Sequence, residues 1–186
     1  MRQLVGLAAL LVLAACGSLP KPGAVPAISF ADQPRLELKT AKLEIEDASQ
    51  ANVQSQALPT HFLKPADVAR SWARQRIATT SATGVARFRI LESSVVEQTL
   101  PTTTRIGGYG TSGQERTLVA RLRVELVLDG LGEQKRVLGE ATAERRIRGA
   151  LPPPELEAEN DALLNELARR FDNVMTAQMG AALTGF

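Results

Sequence analysis

The chain is poor in the residues that most often carry out chemistry. Its 186 residues include one Cys, one His, one Trp and one Tyr, and aromatic residues make up 4%. A single thiol closes no internal disulfide. One Cys with one His builds neither a Cys/His zinc site nor a C-x-x-C redox pair. No sign of charge dominates: 22 Lys and Arg face 20 Asp and Glu, for a formal charge of +2. That balance lacks the basic footprint of a nucleic-acid binder. The N-terminal apolar run, residues 4–13, would make a helix of about 15 Å, half of a hydrocarbon core of about 30 Å. It is too short to span a bilayer.

What is present suits one folded domain. Hydrophobic residues are 44% and charged residues 23%, enough for a core and too few charges for a disordered polyelectrolyte. The start of the chain is the most informative stretch. Arg2 supplies a positive charge, the apolar run follows, and the small residues Ala14 and Ala15 stand directly before Cys16. That order is the order of a secretory signal. Leu13, Ala14, Ala15 and Cys16 also resemble the lipobox of bacterial lipoproteins.

In that family a dedicated peptidase cuts before the Cys. Its thiol already carries diacylglycerol, and the new amino terminus is usually acylated as well. The resemblance implies a signal peptide over residues 1–15, acylation of Cys16 and a membrane as the first partner. The competing reading is an ordinary signal peptide cut after Ala15, which leaves a lone exported thiol open to unwanted pairing. Each buried CH₂ contributes about 0.8 kcal/mol and one chain binds reversibly, so two or three chains would hold the protein at the bilayer. Gly17, where an Asp marks inner-membrane retention in enterobacterial lipoproteins, resembles the outer-membrane case.

Residues 16–34 are expected to form the lipidated N-terminus and a tether, since Pro20, Pro22, Pro26 and Pro34 fall within them. An extended tether over residues 17–34 would reach on the order of 55 Å at about 3.1 Å per residue. Residues 35–186 are then one periplasmic domain.

Within it, segment 35–46 alternates with period two, but Leu36 and Leu38 differ in parity from Ala41, Leu43 and Ile45. A strand with a bulge near Thr40 would reconcile them. A helix follows over residues 64–80, with Pro65 and Asp67 in its first turn and a stripe of Val68, Ala69, Trp72, Ala73 and Ile77. Ala86, Phe88 and Ile90 mark a second strand. Leu118, Ala120, Leu122, Val124, Leu126 and Leu128 share one face of a third, opposite Thr117, Arg121, Arg123 and Glu125. In the fourth strand Val137, Gly139, Ala141, Ala143 and Ile147 face inward, small enough for a helix to pack closely. Facing one core restricts the register of the last two strands, and a partner sum of about 263 satisfies this around the turn and sets Arg123 opposite Glu140. A last, long helix carries Leu156, Leu163, Leu164, Leu167, Phe171, Val174 and Met175 as its stripe.

The expected fold is therefore α+β: a mostly antiparallel four-stranded sheet with two helices on one face, in the order β-α-β-β-β-α. This order resembles small lipoproteins that assist lipopolysaccharide assembly at the outer membrane, and the auxiliary lipoproteins of ABC-type lipid transporters. The resemblance is one of architecture over residues 35–186 and implies a binding or assembly role. A lipid-binding module, with its ligand between sheet and helices, is the alternative.

The stretch GYGTSG, residues 108–113, reads as G-x-G-x-x-G, yet a strand follows where a dinucleotide site needs a helix N-terminus. No Gly-Lys-Ser/Thr follows either, so neither nucleotide nor another cofactor is expected. Residues 100–114 instead join two antiparallel strands, and Ile106 and Tyr109 are apolar groups there that would suit a protein or lipid contact. His61 lies in a linker and G-x-S-x-G is absent. The chain is expected to bind without catalysis, to hold no metal and to contact an envelope protein.

Overall fold

The computed structural model describes residues 28–49, 58–59, 61–100, 115–129 and 134–183. Among them the order is β1 (Leu36–Leu38), β2 (Lys42–Asp47), α1 (Pro65–Arg76), β3 (Ile77–Thr79), β4 (Val85–Leu100), β5 (Glu115–Asp129), β6 (Lys135–Arg148) and α2 (Pro153–Leu183). The main sheet runs β2-β4-β5-β6, with β4, β5 and β6 antiparallel and β2 parallel to β4. This is the expected α+β class, with a mixed rather than wholly antiparallel sheet. The parallel pair arises because α1 carries the chain back, so that Lys42 and Val85 lie side by side.

Parity explains the layers. Leu118, Ala120, Leu122, Val124, Leu126 and Leu128 of β5 are buried in one cluster with Val137, Ala141, Ala143 and Ile147 of β6. Val68, Ala69, Trp72 and Ala73 of α1 and Leu163, Leu164, Leu167, Phe171, Met175 and Met179 of α2 complete it. Both helices therefore cover one face. The register of β5 and β6 places Leu122 beside Ala141 and Arg123 beside Glu140, as the inward-facing residues require. Gly139 sits where a Cβ would overlap Met175 Sδ, with Phe171 Cε2 3.5 Å away. The missing side chain is what lets α2 lie this close.

Three expectations are corrected. Segment 35–46 is two strands in two sheets, not one bulged strand: β1 pairs with β3 and β2 with β4. The break is fixed by Thr40 N–H on Leu38 O at 2.8 Å and Ala41 N–H on the carbonyls of Thr83 and Gly84, both at 3.0 Å. The reversal of parity at Thr40 is thus a change of partner. The first helix ends at Arg76, and Ile77 is the buried first residue of β3 rather than the end of a helical stripe. Gly84, with φ of 86°, makes the left-handed turn that feeds β4. Finally, the packed chain begins before Arg35. Phe30, expected in the tether, is buried, and its N–H donates to Gln75 Oε1 at 2.6 Å.

The alternation in β4 gives no sign of an irregularity that the structure contains. The β4 register shifts between Ile90 and Glu92, so the inward set changes from Ala86, Phe88 and Ile90 to Ser93 and Val95. This bulge points Ser93 Oγ at the start of α1, where it accepts the Ala66 N–H at 2.9 Å. Asp67 accepts the Lys64 N–H at 3.0 Å. Two of the helix's orphan donors are satisfied in this way.

Candidate functional site

The residues that the sequence singles out for attachment and contact, Cys16, Ile106 and Tyr109, all lie outside the described residues. What the structure does show is how β4 and β5 carry the 101–114 connection. Their pairing runs to Leu100 opposite Glu115, far from α1.

The outer face of the sheet carries the arginine stripes, and the structure brings them together with acids. Arg89 binds Glu46 at 3.2 Å and Glu125 at 3.3 Å, and Arg136 binds Glu125 at 3.1 Å. Glu46, Arg89, Glu125 and Arg136 thus form a ladder crossing all four strands. A second row joins Lys42, Glu44, Arg87 and Asp129. Glu125, expected on an open face, is buried between its two arginines. The hydrogen bond and charge of Lys42, with a lesser contribution from Arg87, hold the Glu44 carboxyl below its ordinary value. These arginines already face carboxylates and form no phosphate cradle. Arg121 and Arg123 stand exposed beyond the ladder.

Under the sheet, a polar node joins the two helices. Arg76 is fully buried on the same face of α1 as Trp72, one turn away. Its Nε donates to Asp172 Oδ1 at 2.7 Å and its Nη2 to Thr176 Oγ1 at 2.9 Å. Trp72 Nε1 donates to the same Asp172 oxygen at 2.7 Å. The indole stacks on Phe88, with centroids 5.8 Å apart, and meets the edge of Phe171 at 5.4 Å. The lone Trp is a core residue, as its place on the apolar stripe suggests. The inward turn of Arg76 was missed, although its spacing from Trp72 signals it.

Other chemistry is sparse. His61 is exposed, its ring edge-on to Phe62 at 4.9 Å. Among the described residues no group of three or more His, Cys, Asp or Glu side chains is placed to hold a metal ion. At the start of α2, burial, reinforced by the charge of Glu157, raises the Asp161 carboxyl above its ordinary value. Further along, the hydrogen bond from Arg170, with the charge of Arg169, lowers Glu166. An open groove of about 520 Å³ lies between Arg136 and Leu138 of β6 and Gln178, Ala181 and Ala182 of α2. No helix among the described residues is long and apolar enough to cross a membrane.

No protein-family model matches this chain, and no curated protein does. Among solved structures, the chain is similar to a minor lipoprotein from Acinetobacter baumannii, determined at 2.35 Å. The two share 13% identity with a TM-score of 0.43, over 74% of this chain and 92% of the other. A likeness of that size carries no inference about family or function.

Proposed function

We propose that this chain is a lipid-anchored binding protein of the Gram-negative cell envelope. It is held through acylated Cys16 at the periplasmic leaflet of the outer membrane and serves the assembly of a larger envelope complex without catalysing a reaction. The observation that carries this reading is the order Arg2, apolar run, Leu13-Ala14-Ala15, then the chain's only Cys. The setting that the order of elements resembles is lipopolysaccharide assembly or an ABC-type lipid transporter. A sheet edge, or the 101–114 connection with Ile106 and Tyr109, would meet the partner protein.

Binding of a protein is favoured over carriage of a lipid by the closure of the core. Gly139 brings α2 down until Met175 and Phe171 fill the space over it, and the groove farther along the same seam, by Leu138 and Ala182, is open rather than enclosed. Radiolabelled palmitate should enter the wild type and not Cys16→Ser. Label in both, or in neither, would overturn the anchor. Native purification of the delipidated protein separates the two modes of binding: a stable protein partner supports the assembly role, and co-purifying lipid the alternative.

A further inference from the structure

We infer that the domain stands on its bilayer by one end. The end formed by β1, β3 and the start of β4 faces the anchoring membrane, and the end where β4 and β5 run out to Leu100 and Glu115 projects away from it. This rests on the lipid-anchor reading above and adds to it a direction.

The argument begins where the chain enters the fold. Ile28 packs against the core, and both Ser29 Oγ and the Phe30 N–H bond to Gln75 Oε1 near the C-terminal end of α1. Arg35 fixes the same region by donating to the carbonyls of Arg74 and Ile77, each at 3.1 Å. The start of α1 lies at Ser93 and its end leads through β3 into Val85. Entry is therefore at the Val85 end of the sheet. From there β4 extends through residues 85–100, about 50 Å at roughly 3.3 Å per residue. The chain between Cys16 and Ile28 is long enough to span at most about 40 Å. A body about 50 Å long, tethered at one end and excluded from the bilayer, holds its far end outward on average.

Only attraction along its length would lay it flat, and the sides offer little. On the outer face Arg87, Arg89 and Arg136 are matched by Glu44, Glu46, Glu125 and Asp129, and of the two exposed arginines beyond them, Arg121 and Arg123, the second stands between Glu92 and Glu140 in the sheet register. Leu63 and Leu138 are the large apolar side chains exposed among the described residues, and two separated side chains make no membrane-seeking patch.

The test uses the full lipidated chain. Acylation blocks the thiol of Cys16, so one introduced Cys is the sole reactive thiol. Ala82→Cys marks the near end, in the turn before β4. Ala150→Cys marks the far end, just beyond Arg148, which pairs with Glu115. Both positions are exposed. Each variant, carrying a donor dye, is reconstituted into phosphatidylethanolamine/phosphatidylglycerol vesicles that contain an acceptor-labelled lipid headgroup. Donor emission should fall strongly at position 82 and hardly at position 150. Equal losses, or a larger loss at position 150, with both variants floating with the vesicles, would overturn the orientation and leave the anchor intact. Failure of both variants to float would remove the anchor, and the orientation with it.

Discussion

The two faces of the sheet solve the same problem by opposite means. Beneath it, Leu122 is buried with no polar partner to satisfy. Above it, its neighbour Arg121 is exposed. The inner face is closed by volume: Trp72, Phe88 and Phe171 interlock, and Gly139 gives way to Met175. The outer face is covered by charge: Glu125 is buried there, but by two arginines rather than by a helix. A strand of period two delivers both surfaces at once, and the energetic weight lies almost wholly on one of them.

The sharpest way to break this comparison is a pair of adjacent substitutions. Leu122→Asp should unfold the domain, because it buries a carboxylate with no partner. Arg121→Asp should cost no more than about 0.5 kcal/mol. Equal damage from both in urea melts would erase the distinction between the faces. Next in size is the one charged node on the inner side. Asp172→Ala strands the buried guanidinium of Arg76 and should cost about 3–5 kcal/mol. A shift in Trp72 fluorescence should accompany it, since the indole N–H loses the same acceptor.

Gly139→Ala tests the closeness of α2. Crowding against Met175 should cost about 1–3 kcal/mol, read as a lower thermal midpoint. On the outer side, Glu125→Ala should cost less, about 1 kcal/mol, because Arg89 and Arg136 can both turn to water. A loss as large as that from Asp172→Ala would show the ladder to be structural.

The smallest effect concerns pH. Asp161 has its carboxyl pKa raised by burial, so its charged form opposes folding. The native state is relatively favoured below the ordinary value of 3.8 and loses that advantage as pH rises through the raised one. Asp161→Asn should therefore raise the thermal midpoint slightly at pH 7 and leave it unchanged at pH 3. A fall at pH 7 would reverse the sign of this argument.

The hairpin of β5 and β6 was legible almost residue by residue. Alternation in residues 117–128 and small inward residues in 137–147 restrict the register by parity, the short turn favours a partner sum near 263, and the observed pairing is that one. Both helix stripes were legible for the same reason, except that Ile77 belongs to β3 and Val174 lies outside the core cluster. The shift in β4 was not, because Glu92, Ser93 and Ser94 carry no apolar parity, and only the demand of Ala66 for an acceptor shows why the strand shifts there. The division of segment 35–46 was hidden too: a change of partner and a bulge reverse parity alike. Of the candidate site, the lipobox-like stretch behind the proposed anchor is local in the sequence, whereas the Glu125 ladder depends on which strand lies beside which. Arg136 reaches Glu125 only because β6 is the neighbour of β5.

By itself the sequence determined the signal-like start, the single acylation candidate, the α+β class and the inward residues of the last two strands. Those properties depend on local order and on a repeat of two or 3.6 residues. Tertiary structure alone decided that Thr40 marks a change of sheet, that Arg76 turns inward to Asp172, and that the chain enters at one end of the sheet beside Gln75. Each of these depends on a contact between residues about forty or more positions apart, and a repeat along the chain holds no record of which distant residue will lie opposite.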